Sequence, residues 1–193
     1  MGQYQFKKIK PLESNDAYWK VMHWFFSYPL KEVSLNDLIH HIKISKTTAN
    51  KIVKRLAKEG FLKITILGKI WRISCVQQHE FNITRKIPYQ LELIYESEII
   101  EAVLKHTINP RVIVLFGSYR KGDDVESSDI DIAVETFENE EVSIFELGLL
   151  SQMGYRNNVK VNVLTFSRNK VDLNLFSNIV NGIVLYGFLE ARP

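Results

Sequence analysis

Cysteine is nearly missing from these 193 residues: Cys75 stands alone. No intramolecular disulfide can form, and no Cys-based zinc spacing exists. His40 and His41 do not supply one, because neighbours on a helix point to different sides. Long apolar runs are missing too. Nothing near 18 residues is continuously apolar and no charged-apolar-small leader appears, so the expectation is a cytoplasmic protein with no membrane partner. The nine glycines and five prolines are neither clustered nor periodic, which excludes collagen, low-complexity and repeat architectures. What is present, 46% apolar and 24% charged residues, is ordinary globular composition at a length that permits one domain or two small ones.

The small net charge of +3 conceals an uneven distribution. Residues 1–90 hold 16 Lys and Arg against 6 Asp and Glu, whereas residues 91–193 hold 9 against 16. A basic half points to a polyanion, and an acidic half argues against the whole chain lying on it. The joint between them is expected at 77–88, where polar residues and Pro88 interrupt the apolar pattern.

In the basic half, Tyr18, Val21, Met22, Phe25 and Phe26 recur at helical spacing and predict a helix over 17–28, stopped by Pro29. Ser34 is placed to cap a second stripe of Leu35, Leu38, Ile39 and Ile42, and Ser45 to cap a third helix that closes at Gly60. That third helix turns Ala49, Ile52, Val53 and Leu56 inward and Thr47, Asn50, Lys51, Lys54 and Lys58 outward. Strands over 61–66 and 70–76 then join around Leu67, Gly68 and Lys69 in a hairpin carrying Lys63, Lys69 and Arg72.

Three short helices followed by a basic hairpin resemble the winged helix-turn-helix family over residues 17–76. The resemblance implies double-stranded DNA as partner, with the third helix in a major groove about 12 Å wide and the wing on adjacent phosphate. Thr47, Asn50, Lys51, Lys54, Lys58, Lys69 and Arg72 are the expected DNA contacts. A protein-binding winged helix with solvated lysines is the alternative, and Trp19, Trp24 and Trp71 are assigned to packing.

The acidic half predicts a helix over 91–106, a buried strand over 111–116, strands over 130–134, 159–166 and 183–186, and a helix around 142–155. Its informative stretch runs from Gly117 and Ser118 to Asp129, Ile130 and Asp131. Gly117 and Gly122 have phosphate-loop spacing, but Asp123 and Asp124 stand where that motif needs Lys and Ser or Thr, so it is rejected. Asp129 and Asp131, two apart on a strand, share a face, and crowded carboxylates call for a cation. Paired magnesium ions about 3.5–4 Å apart serve phosphoryl and nucleotidyl transfer. Gly117 permits a phosphate to approach backbone N–H groups and Ser118 adds a hydroxyl. Ser118 lacks the G-x-S-x-G frame of a hydrolase nucleophile.

The run of Gly117 and Ser118, ten intervening residues, then Asp129 and Asp131 resembles the DNA polymerase β-like nucleotidyltransferase superfamily, especially its minimal members. Phe116, Ser128, Ile130 and Ile132 fit the same pattern, and the resemblance covers 111–187. It implies binding of a nucleoside triphosphate with magnesium, attack on the α-phosphate and departure of pyrophosphate. Gly117 and Ser118 would hold the β- and γ-phosphates, with Asp129 and Asp131 as metal ligands. The family's third carboxylate, on the next strand, falls at Asn162, completing the catalytic set Asp129, Asp131 and Asn162. An amide can ligate magnesium but adds no negative charge and cannot act as a base. Glu135 shares the face of Asp131 but lies about 13 Å along the strand, which argues against it as a substitute.

The expected fold is therefore α+β: an N-terminal winged helix domain (1–80), a linking helix (81–110), and a small α/β nucleotidyltransferase-like domain with a mixed sheet (111–193). The expected function is a DNA-binding transcriptional regulator whose nucleotide-binding domain is weakly active or inactive. The alternative is an active magnesium-dependent nucleotidyltransferase, targeted or autoregulated by its winged helix and antitoxin-like in modifying a protein partner. A homodimer is left open.

Overall fold

Serine caps and apolar stripes set out the first third of the chain. The structure, a computed structural model, describes residues 4–5, 17–137 and 141–190. After a two-residue strand β1 (Tyr4–Gln5) come three helices, α1 (Ala17–Ser27), α2 (Leu35–Ile42) and α3 (Lys46–Lys58). Ser34 and Ser45 accept hydrogen bonds from the backbone N–H of Asp37 and Thr48, at 3.2 and 3.1 Å, satisfying donors that each helix start leaves orphaned. Strands β2 (Leu62–Leu67) and β3 (Ile70–Cys75) pair antiparallel, with Leu67 opposite Ile70, so Gly68 and Lys69 form a two-residue turn. A bridge from Val33 to Ile73 ties the start of α2 to this hairpin. Met22, Phe25, Leu38, Val53, Leu56, Phe61 and Ile73 are fully buried between these elements.

Residues 77–88, expected as a joint, are wound and buried at several points. Asn82 donates its side-chain amide toward the carbonyls of Val76, Gln77 and His79, at 2.8 to 3.2 Å. A wide turn over Asn82–Lys86 runs straight into α4 (Ile87–Glu96). The single helix expected over 91–106 is instead two. Glu98 adopts φ +62°, the Ser97 hydroxyl bonds back to the Ile94 carbonyl at 2.6 Å, and α5 (Ile99–His106) starts in a new direction.

The rest of the chain builds one mixed sheet from β1 with β4 (Pro110–Phe116), β5 (Ile130–Thr136), β6 (Ser143–Met153), β7 (Arg156–Phe166) and β8 (Ile183–Gly187). The order is β1-β6-β7-β5-β4-β8, with β1–β6 and β5–β7 parallel and the other neighbours antiparallel. The chain is thus α+β. The helix expected around 142–155 is in fact β6, the longest strand together with β7. A register shift between Glu146 and Gly148 offsets its alternation, so that the buried Leu147, Leu150 and Met153 fall three apart and imitate a helical period. Gly154, at φ +60°, and Tyr155 close the β6–β7 hairpin.

Strand alternation divides the sheet's cover. Ile113, Leu115, Ile130, Ile132, Val161 and Val163 face α4 and α5, in an apolar core continuous with that of α1 to α3. Val112, Val114, Ala133, Leu164 and Phe166 face the other way, under Ile179, Leu175 and Phe176 of α7 (Leu173–Val180). Beneath α4, Lys86 is 1% and Asp124 2% exposed. The ammonium donates to the Asp124 backbone carbonyl at 2.7 Å and reaches Oδ1 at 2.9 Å, off the hydrogen-bonding direction, while Gln90 donates to Oδ2 at 2.8 Å. Burial holds the Asp124 carboxyl above its ordinary range, and Lys86 pulls it back. On the far side of the same loop, Glu126 Oε1 accepts the backbone N–H groups of Leu30 and Lys31 at 3.0 and 3.1 Å. The turn opening α4 and the segment after α1 therefore both grip residues 122–128.

Breaking a buried pair by removing one partner costs about 3–5 kcal/mol because the other charge is stranded. Lys86→Met should lower the free energy of unfolding in urea by that amount, and Lys86→Met with Asp124→Leu should recover most of it. Equal losses in the single and double variants would show that the pair does not carry the stability of the loop.

Candidate nucleotide and metal site

β4 ends at Phe116, and the chain turns into α6 (Gly117–Lys121), a short helix closed by Gly122 in the left-handed conformation. Gly117 has φ +73°, and a Cβ there would stand 2.6 Å from Asp131 Oδ2. Only glycine permits both the turn and the close approach of the Asp131 carboxylate. A side chain at Gly122 would run into the Asn82 backbone carbonyl, so the second glycine of the rejected phosphate loop serves packing against the wide turn.

Asp129 precedes β5 and Asp131 lies within it, two residues apart and on the same face. Asn162 of β7 stands directly beside Asp131 in the parallel register. Its Nδ2 donates to Asp129 Oδ2 at 3.2 Å and to Asp131 Oδ1 at 3.4 Å, so one amide joins two carboxylates. Burial raises the Asp131 carboxyl above the usual aspartate range, the Asn162 hydrogen bond lowers it, and the Asp129 charge raises it again. Gly117, Ser118, Asp129, Asp131 and Asn162 thus converge at one end of the face that α7 covers further along.

Glu135 is committed elsewhere. It is 2% exposed and takes Arg168 in a two-point contact, Nε to Oε1 at 3.0 Å and Nη2 to Oε2 at 3.3 Å, with Arg111 at 3.6 Å. Glu146, which the motif gives no reason to single out, is directly opposite Asn162 in the antiparallel β6–β7 register, and Lys160 Nζ lies 3.8 Å from its carboxylate. Directly opposite residues point to the same face. Among the described residues, no three His, Cys, Asp or Glu side chains gather as a metal cage. The two aspartates supply hard carboxylate oxygens of the kind a divalent cation such as magnesium takes, while the Asn162 amide turns its nitrogen, not its carbonyl, toward them.

Sequence reasoning also passes over Arg156. It is 7% exposed at the start of β7 and donates to the Tyr119 hydroxyl at 2.5 Å and to the Ser128 carbonyl at 2.6 Å. Nothing local in the sequence marks it.

The basic residues occupy the other lobe. Thr47, Lys51, Lys54 and Lys58 are exposed on α3 and Asn50 is half-buried. Asn50 and Lys69 line one groove of about 270 Å³ with Ser34, Lys46 and Trp71, and Lys54 Nζ sits 5.5 Å from the Trp71 ring centre. Arg72 is apart from that groove, its guanidinium 3.5 Å from Glu32. Trp24 belongs to the core, whereas Trp19 and Trp71 are half-buried. No helix among the described residues is long and apolar enough to cross a membrane.

Residues 98–188 match the family model described as polymerase beta, nucleotidyltransferase. The match takes in α5 and the chain from β4 through β8, and it makes this part similar to nucleotidyltransferase domains. Among curated proteins, none matches the chain.

Gly117→Ala forces a Cβ into a left-handed backbone and against Asp131. The backbone conformation alone costs about 1–2 kcal/mol, so the free energy of unfolding should fall by at least that, while Gly68→Ala, at φ +61° in open space, should show the backbone cost alone. Equal losses at the two positions would remove the contact with Asp131 from the account.

Proposed function

We propose that this chain is a DNA-binding regulator whose nucleotidyltransferase-like domain takes up a magnesium-bound nucleoside triphosphate and transfers its nucleotidyl group slowly or not at all. The observation that carries this reading is Asn162, an amide bonded to both aspartates where a third carboxylate would otherwise stand. Two carboxylates and an amide carbonyl suffice to hold a cation and lack the base that would take a proton from an acceptor hydroxyl. Asp129 and Asp131 would hold magnesium, which offsets phosphate charge when bound, and the Asn162 amide would turn over to offer its carbonyl in place of the nitrogen that faces them in the free protein. Gly117 leaves room for a phosphate beside the backbone, and Ser118 supplies a hydroxyl donor.

The DNA-binding part rests on the order of capped helices and hairpin, read as a winged helix, and on the outward lysines of α3 beside the groove shared by Asn50 and Lys69. Double-stranded DNA is the proposed partner, read by Thr47 and Asn50 and held at phosphates by Lys51, Lys54, Lys58, Lys69 and Arg72. The site would be cytoplasmic. Each phosphate contact contributes about 0.9 to the slope of log affinity against log salt. Lys51→Glu with Lys54→Glu should weaken duplex binding and flatten the slope by about 2. Wild-type affinity across a salt series would remove the recognition-helix assignment.

A second reading, an active transferase, is favoured by Glu146, which brings a carboxylate to the same face one strand beyond Asn162. Asn162→Asp separates the two. General-base catalysis is worth about 10²- to 10⁴-fold, so Asn162→Asp should raise transfer of label from an α-³²P triphosphate and should bind magnesium and triphosphate more tightly in a thermal-shift titration. Fast transfer by wild type, unimproved by Asn162→Asp and lost in Glu146→Gln, would establish the enzyme reading instead.

A further inference from the structure

We propose that Arg156 is a positioning residue that fixes the separation between the phosphate-holding and metal-holding halves of the nucleotide site, a role that rests on the triphosphate reading above. Its two acceptors are the immediate neighbours of those halves. Tyr119 follows Ser118 on α6, and Ser128 precedes Asp129. One planar guanidinium spans both, at 2.5 Å to the Tyr119 hydroxyl and 2.6 Å to the Ser128 carbonyl, so the gap between α6 and the start of β5 is set by a rigid fork. The element that carries the fork is itself clamped. Tyr155, the residue before it, gives its backbone N–H to the Ser27 hydroxyl at 3.1 Å, and its carbonyl accepts from the Tyr28 hydroxyl at 2.6 Å. At Gly154, a Cβ would stand 2.9 Å from Ser27 Oγ and 2.8 Å from the Tyr89 hydroxyl, so the hairpin tip is seated without slack against α1 and α4.

The electrostatics favour the same role. Arg156 is buried, and among the described residues no carboxylate comes within ion-pair distance of it. Its two hydrogen-bond acceptors are neutral, and the buried Asp124 carboxyl, which its charge pulls down from a distance, is already paired with Lys86, so the guanidinium is costly to keep for stability alone. Here it lies one residue from the serine and one residue from the aspartate that would share a magnesium triphosphate, a site to which it also lends positive potential.

The readout is the factor by which magnesium raises triphosphate affinity, measured by calorimetry well below the unfolding temperature for wild type, Arg156→Lys and Tyr119→Phe. An ammonium cannot span both acceptors, and phenylalanine removes one of them with almost no change of volume. If Arg156 sets the gap, metal-free triphosphate binding at Gly117 and Ser118 stays near wild type in both variants. The magnesium enhancement falls about tenfold, the value of one charge-assisted hydrogen bond. A merely structural role would lower the unfolding temperature and leave that factor unchanged in the folded protein. An enhancement within twofold of wild type in Tyr119→Phe overturns the proposal even if Arg156→Lys fails to fold. No magnesium-dependent triphosphate binding by wild type overturns the triphosphate reading, and this proposal with it.

Discussion

The buried pair of Lys86 and Asp124 is the constraint on which the other parts rest. An ion pair this deep is rarely a net gain over apolar packing, and its value lies in the single geometry it enforces. Here it pins residues 122–128, the connection between α6 and β5, to the turn that opens α4. The same connection ends at Asp129. Glu126 on its other side binds the backbone of Leu30 and Lys31, immediately after α1. One short segment thus receives contacts from the end of α1 and from the turn that opens α4, and it delivers the first carboxylate of the site.

The site then follows from strand geometry. Parallel pairing of β5 with β7 puts Asn162 beside Asp131, and the turn at Gly117 brings α6 against the same carboxylate. The two aspartates repel each other, and in the free protein the Asn162 amide is what offsets this by donating to both. A neutral donor in that position stabilises a pair of charges without supplying a third. His23 illustrates how closely the lobes are joined: it stacks on Tyr89 at 3.7 Å between ring centres, and burial pushes its imidazole down to about 4, so it is neutral at physiological pH.

Local chemistry was legible in the sequence and long-range chemistry was not. Ser34 and Ser45 announce their helices because a cap acts within three residues, and Asp129 and Asp131 announce a shared face because strand alternation needs only two. β6 hid behind a register shift that spaces its buried residues three apart. The break after Ser97 hid because no glycine or proline marks it and the left-handed residue is Glu98. Lys86 and Arg156 hid for a more basic reason. A buried cation is recognisable only by its partners, which lie 38 residues from Lys86 and 37 and 28 from Arg156, and both lie in stretches whose polarity suggests exposure.

Residues 122–128 lead into Asp129 and are held by the backbone of Leu30 and Lys31, so a nucleotide that shifts this segment would shift the proposed DNA-binding helices with it, and by linkage the effect would be mutual. The most direct test is the affinity for one duplex, at fixed salt, with and without saturating magnesium triphosphate. The triphosphate affinity is then measured with and without saturating duplex. The account predicts a shift of about fivefold or more in each, by the same factor. Duplex affinity unchanged by saturating triphosphate, in a protein that binds both, would contradict it.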